Sequence, residues 1–496
     1  MTKSLEAAQL LAEFRHRRDR GTLNAEQVEH DAQRVADLVI AHHREAGGYL
    51  RDAVTLLCEI TSHEDQSIAR VGVNALFPDL IERLNDSFDP AACKLYDRIF
   101  AQVIDYYRHL PQATEFDEAL RGFGLMNESD LLRRKSSILN TRPSSLKPQA
   151  SIFKVLLLSR ITIGADVAIT SVIIARLRAL LPRAEFVLLG PAKLRELFGG
   201  DLRLQIREIS YERGAGVLSR LISWTDVVEA VKEETSGLTE DEFCLIDPDS
   251  RLTQLGLLPL LINEQNYLFF ESRSYQLPKN PEPQSIGRLT SLWLNDVLGV
   301  EGQSHPYVAL LDEYLSFGRK VVSALRRGGA SHIIAISLGV GGNQRKRVSD
   351  EFEMEMVNSL IAGSTLIIDK GGTEEERDQI NRIITSLRNS GFVIVEINEE
   401  NRAEMISEEM IEADAITWDG GIGSFAGLIA DSDRYIGYDS AGQHIAAAIG
   451  VPTLTIFVNS GSTTFAERWR PYGKGDIKIL SLDQSSSWAD VDLNSI

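Results

Sequence analysis

The stretch Tyr435–Pro452, YIGYDSAGQHIAAAIGVP, constrains the fold of this chain more than any other. A short apolar run from Tyr435 to Tyr438 ends at Asp439-Ser440. A helix of small residues then opens near Gly442 and carries His444. Gly450 ends that helix, Val451-Pro452 turns the chain, and TLTIF begins another strand. A strand–turn–helix–turn–strand order of this kind belongs to a parallel sheet. Its first turn sets a hydroxyl, an imidazole and backbone N–H groups at a helix N-terminus, a place suited to a phosphate.

Composition sets wider bounds. The chain has 496 residues, room for about three domains of roughly 150 residues. A hydrophobic share of 43% with 25% charged residues fits a soluble globular protein. A formal charge of -19 argues against general binding to nucleic acid or anionic lipid. Cys58, Cys93 and Cys244 lie far apart and form no CxxC pair, so they read as buried apolar residues of a reducing compartment. No signal peptide is visible in MTKSLEAAQLLAEF, and the apolar run Leu255–Ile262 is too short to span a bilayer. The expectation is a cytoplasmic protein, with peripheral association at the inner face of a membrane left open.

Three regions follow one another. Residues 1–140 repeat apolar side chains at helical spacing, as in Leu95, Ile99, Val103 and Ile104, with breakers at Gly47-Gly48, Pro78, Pro90 and Pro111. This predicts an all-α N-terminal domain. His42-His43 and His63-Glu64-Asp65 within it read as surface or capping residues, because neighbours on a helix diverge by about 100°. Residues 141–151 read as a linker, with two prolines and no apolar periodicity. Strands then alternate with helices. Val155–Leu158, Glu185–Leu189, Phe243–Ile246, Ile333–Ile336, Thr365–Ile368, Phe392–Val395, Arg434–Gly437 and Leu454–Phe457 are the expected strands. The length calls for two doubly wound parallel sheets, in domains 152–328 and 329–496, facing each other across a cleft in the GT-B manner.

Several motifs sit at strand ends. Ile333–Arg347, IIAISLGVGGNQRKR, runs from a strand through glycines into three cations. Gly339, Gly341 and Gly342 would let backbone approach a diphosphate, and Lys346 or Arg347 would neutralise it. A solvated basic turn is the plainer alternative. Asp369–Arg377, DKGGTEEER, opens a helix after a strand, and Glu374 and Glu375 are candidates for ribose hydroxyls. Acidic residues there also simply suit a helix dipole. Asp247-Pro248-Asp249 ends a strand, and reads as a turn or an acceptor contact rather than a metal site. Arg251 and Arg273 are candidates for an acceptor phosphate or carboxylate, with ordinary surface arginines as the alternative.

These motifs together resemble glycosyltransferase family 9, the heptosyltransferase-like family. The resemblance rests on Asp439-Ser440 with His444 and the following Gly450-Val451-Pro452-Thr453, on Arg468-Trp469-Arg470-Pro471-Tyr472-Gly473, and on Lys346-Arg347 after a glycine turn. It rests also on Lys154–Thr170, where Gly164-Ala165-Asp166-Val167 is similar to the family's first loop. It spans about residues 152–480 and leaves out the helical region.

The resemblance implies an inverting transferase that moves a sugar, heptose foremost, from a nucleotide-diphosphate donor to a hydroxyl of a glycan, lipid-linked glycan or protein. An ADP-sugar is the favoured donor. It places Asp166 as general base, and Gly341, Gly342, Lys346, Arg347, Glu374, Glu375, Asp439, Ser440, Gly442 and His444 at the donor. Asp247, Arg251 and Arg273 fall to the acceptor. No cofactor, metal or nucleic acid is expected, and the helical region is open to a protein partner. An inactive GT-B scaffold that binds a nucleotide sugar is the alternative, followed by epimerisation or hydrolysis of such a sugar.

Overall fold

A computed structural model describes residues 2–140, 152–212, 214–276, 284–341, 343–402, 412–458 and 463–491. The expected linker 141–151 lies outside them.

The N-terminal region is helical, as its periodicity requires. Its longer helices are Lys3–Asp19, Ala25–Ala46, Arg51–Thr61, Pro90–Arg108 and Glu128–Asn140. Asn24 caps the second through Gln27 N, and Gly47 ends it in the left-handed conformation. Asp65 caps the helix Gln66–Asn74, and His63 Nδ1 accepts from Asp65 N, so this acidic cluster is a helix start. Pro78 departs from its expected role as a break. It lies inside a π-helical stretch, Ala75–Glu82, and the chain stays helical through it. The wider π turn absorbs the missing N–H and the ring's clash with the preceding turn.

Twelve strands follow in the described residues: β1 Lys154–Leu158, β2 Glu185–Gly190, β3 Leu204–Glu208, β4 Phe243–Asp247, β5 Tyr267–Phe269, β6 Ile333–Ser337, β7 Thr365–Asp369, β8 Ile394–Asn398, β9 Ala415–Asp419, β10 Arg434–Tyr438, β11 Thr453–Val458 and β12 Ile477–Leu482. They form two sheets, in the orders β3-β2-β1-β4-β5 and β12-β11-β10-β6-β7-β9-β8. The second is parallel throughout. β6 pairs with β7 through Ile334↔Leu366 and with β10 through Ile334↔Arg434. The chain therefore winds one way from β6 and returns on its other side at β10. Ligands of open parallel sheets lie outside the carboxyl ends of strands at such a reversal. The first sheet reverses likewise at β1 and β4, paired through Val155↔Cys244.

Packing divides the chain into two compact units. The first holds Met1–Ile161, Leu188–Pro191 and Arg207–Pro281, and the second Thr162–Val187, Ala192–Ile206 and Glu282–Ile496. In the first, the helical region packs on β5 and its surroundings: Lys135 pairs with Asp97 of its own region and with Glu271 beyond β5, and Phe116 meets Trp224 edge-on. Its three cysteines are free and buried. In the second, Ile334, Ile336, Phe352, Ile368, Ile384 and Trp488 belong to one apolar core between sheet and helices. No helix among the described residues is long and apolar enough to cross a membrane.

Candidate functional site

The reversal of the second sheet brings two predicted segments together. β6 leads into the Leu338–Gly341 turn and then into the short turn Gln344–Lys346. β10 leads into Asp439 and Ser440, and the helix Ala441–Ile449 follows. Lys346 Nζ donates to Asp439 Oδ2 at 2.6 Å and lies 5.0 Å from the centre of the Phe465 ring. Asp439 Oδ1 accepts from Gln443 Nε2 at 2.7 Å. Both carboxylate oxygens are thus engaged, one by a cation and one by an amide. Ser440 takes the N-cap position in extended conformation, and its side chain makes no capping hydrogen bond. Gly442 is a matter of space: a Cβ there would stand 2.2 Å from the Tyr435 hydroxyl.

His444 lies on the first turns of this helix, 4% exposed, with Trp469 edge-on at 6.1 Å. Its Nε2 is 3.3 Å from Gln443 Nε2. Burial lowers its pKa to about 4, with Asp439 opposing and Lys346 adding to the shift. The folded value lies below the unfolded one of about 6.5, so between the two the unfolded chain binds the extra proton. Stability from this residue is therefore complete above pH 6.5 and falls as the pH drops toward 4, by on the order of 3 kcal/mol. Asp369, raised to about 6 chiefly by burial, works in the opposite sense, losing its contribution as pH rises through 6. The comparison that isolates His444 is denaturant unfolding of the wild type and His444→Gln at several pH values. We expect the gap between them to shrink from pH 7 to pH 4.5.

Asp166 belongs to the same unit. It is the fourth residue of a helical run that starts at Ile163, at the head of a π stretch Asp166–Thr170, rather than at the cap, which is Thr162. Its carboxylate is fully buried and accepts from Thr170 Oγ1 at 2.8 Å. The start of this run packs on the start of the His444 helix. A Cβ on Gly164 would lie 3.1 Å from Ala441 Cα and 3.3 Å from His444 Cδ2.

Arg347 turns inward. Its guanidinium binds the fully buried Glu353 through Nε at 2.9 Å and Nη2 at 2.6 Å, and Glu353 also accepts from the Tyr438 hydroxyl and from Gln379. Its charge is committed to the fold. Glu374 and Glu375 are exposed on the first turn after β7. Gly342 is outside the described residues.

Sequence reasoning passed over Glu376. This buried carboxylate accepts from Val340 N at 2.7 Å and Gly341 N at 2.9 Å through Oε1. Through Oε2 it accepts from Gly372 N at 2.8 Å and Thr373 N at 3.2 Å. One side chain so joins the turns after β6 and β7. It also takes the Gly341 N–H, one of the groups expected to meet a diphosphate. The capping-box spacing Thr373-x-x-Glu376 was the signal that could have found it.

The acceptor candidates lie in the first unit. Asp247 is fully buried and accepts from Ser250 N, Thr253 Oγ1 and Tyr267 OH, at 2.6, 2.5 and 2.6 Å. It closes the end of β4. Arg160 Nη1 donates to Pro248 O and Ser272 Oγ, each at 2.7 Å, and pairs with Asp249 at 3.3 Å. Arg251 faces Glu82 at 4.0 Å, and Arg273 faces Asp86 at 3.5 Å and Asp249 at 3.9 Å. Among the described residues no group of three or more His, Cys, Asp or Glu is arranged to hold a metal ion.

Comparison with known proteins adds a family. Residues 396–492 match the family model for glycosyltransferase family 9 (heptosyltransferase). Among solved structures, a glycosyltransferase family 9 protein from Veillonella parvula is similar at 13% identity and TM-score 0.46, over 67% of this chain and 88% of that one. The E. coli heptosyltransferase WaaC, solved with ADP, is similar at 13% identity and TM-score 0.43, over 66% and 93%. E. coli ADP-heptose LPS heptosyltransferase II is similar at 14% identity and TM-score 0.45, over 69% and 96%. No curated protein matches the chain in sequence. The segment that matches glycosyltransferase family 9 (heptosyltransferase), 396–492, holds Asp439, Ser440, Gly442 and His444.

Proposed function

We propose that the protein is an inverting glycosyltransferase that moves a sugar, heptose foremost, from an ADP-sugar to an acceptor hydroxyl. The observation that carries this reading is the Lys346–Asp439 pair at the reversal of the second sheet, beside the N-terminus of the helix that bears His444. A donor diphosphate would compete with Asp439 for the Lys346 ammonium and take the N–H groups at the start of that helix. In the reaction the acceptor oxygen bonds to the anomeric carbon as the bond from that carbon to the diphosphate breaks. The diphosphate leaves with the electron pair, and Asp166 accepts the hydroxyl proton. Lys346 and the helix terminus stabilise charge where it develops. The positive charge comes from the chain itself, so the step is written without a metal. The imidazole of His444 is neutral at pH 7 and serves as a hydrogen-bonding group rather than a cation. A division into domains 1–140, 152–328 and 329–496, with the donor bound by the last, is part of this proposal.

The test is calorimetric binding of ADP, UDP and GDP. We expect ADP to bind and Lys346→Ala to weaken it about 10- to 100-fold, the equivalent of a charged hydrogen bond of ~1.5–3 kcal/mol. Unchanged affinity in the variant would remove Lys346 from the site. A specific observation supports one second reading: the carboxylate of Asp166 is fully buried and bound to Thr170. That suits a scaffold which binds a nucleotide sugar without transferring it. Nucleotide binding with no product on any acceptor would favour the scaffold.

A further inference from the structure

One buried amide on the helix Ala441–Ile449 has no part in the reaction written above. Gln443 is fully buried, and its Nε2 meets three groups: Asp439 Oδ1 at 2.7 Å, Trp469 O at 3.3 Å and His444 Nε2 at 3.3 Å. Its Oε1 is buried and has no hydrogen-bond partner among the described residues. A buried acceptor left unmade costs free energy, so packing alone favours an apolar side chain at this position. The reason for a glutamine lies at its nitrogen end.

The amide has one orientation open to it. Turned over, Oε1 would face the Asp439 carboxylate, which pairs with Lys346, and the Trp469 carbonyl. Both are acceptors and neither can donate to it. The carbonyl is a fixed point. It ends the helix Thr463–Trp469, and the chain beyond it lies close on the helix of Gln443, where a Cβ at Gly473 would strike the Ala447 carbonyl.

That orientation decides the state of the imidazole. The amide NH2 donates and cannot accept. His444 Nε2 faces it and so must present a lone pair. The ring is neutral at pH 7 and then holds its single proton on Nδ1. Asp439 is served by the same group. Its Oδ2 takes Lys346, the ammonium that the donor reading sends to a diphosphate, and its Oδ1 keeps Gln443 in either case.

We propose that Gln443 is a positioning residue of the donor site: its amide nitrogen fixes the His444 proton on Nδ1 and stays with Asp439 when Lys346 moves to the diphosphate. The inference rests on the donor reading above and deepens it. What His444 offers a ligand is then an N–H, and its Nε2 is closed to proton transfer. The segment Arg468–Gly473 gains a role as well, since it supplies the carbonyl that keeps the amide from turning over.

The test is the imidazole nitrogen NMR spectrum of the full chain, with calorimetric ADP binding measured on the same samples. Comparison with His444→Gln picks out the His444 signals among those of the nine histidines. We expect the wild type to show a protonated Nδ1 and a bare Nε2 at pH 7. Gln443→Met keeps the length of the side chain and removes its donors. In it we expect the proton to spread onto Nε2 and ADP to bind about tenfold more weakly, the scale of one hydrogen bond. An Nε2–H tautomer in a wild type that binds ADP overturns the inference and leaves the donor reading standing, even where the variant does not fold. A folded Gln443→Met with an unchanged tautomer overturns it too, as does one with unchanged ADP affinity. A wild type that binds no nucleotide counts against the donor reading, and the role of Gln443 at that site falls with it.

Discussion

Glu376→Ala is expected to destabilise the second unit by about 3–5 kcal/mol, at the upper end for a single substitution. Four N–H groups lose their acceptor at once, those of Val340, Gly341, Gly372 and Thr373. The Val340 bond is buried, and each buried donor left unmade costs ~1–3 kcal/mol. Glu376→Gln should recover less than half of the loss. It keeps one acceptor oxygen, but its NH2 must face a pair of donors. Urea unfolding of the three proteins measures both effects. Equal stability of the wild type and the alanine variant would show that water satisfies these turns unaided. A functional effect should accompany the loss, because Lys346 follows Gly341 by five residues and its turn is held in place from this end.

Asp166→Asn is expected to lower transfer by ~10²–10⁴, the usual worth of a general base, with little change in stability. Asparagine keeps an oxygen for the Thr170 hydroxyl, so the helical run has no reason to open. The pH profile of kcat/KM separates a base from a merely structural residue. The wild type should lose activity as the carboxylate protonates, and the variant should lack that limb. Near-normal turnover in a folded Asp166→Asn would leave the residue as a packed helix position, and the transfer step would need another base.

Much of the architecture could be read from apolar runs and their punctuation. The eight expected strands all appear, that at Phe392–Val395 displaced to Ile394–Asn398, because periodicity and turn residues act locally. The strands missed are instructive. Four were missed: β3, β5 and β12 are edges of their sheets, whereas β9 is a buried interior strand between β7 and β8. β12 is half-solvated along its length, so its sequence, IKILSL, lacks the continuous apolar run that marks a buried parallel strand. The helical run after β1 begins at Ile163, where Gly164 and Ala165 carry no apolar periodicity and Gly164 lies against Ala441 and His444.

The site was legible where its residues are close in sequence. Gln443 and His444 lie in the first turn of one helix, and Asp439 just precedes its N-cap. Meeting Lys346 requires β10 to lie beside β6, a pairing that no local pattern encodes. The same limit hid the inward turn of Arg347, whose partner Glu353 looks from the sequence like an ordinary residue of an acidic first turn. It also hid the carboxylates opposite Arg251 and Arg273, which come from a region more than 150 residues earlier in the chain.

The placement of sulfur has a practical consequence. Cys58, Cys93 and Cys244 all fall within the first unit and none within the second. Burial raises the pKa of each thiol, to about 12 for Cys93 and Cys244, so almost no thiolate is present at neutral pH. Alkylation of the native protein must therefore await an opening of the first unit, and the second unit contributes no signal. The chain carries its own half-sided clock of local unfolding, and a cysteine introduced on the surface of the second unit can carry a fluorophore with the natural three left in place.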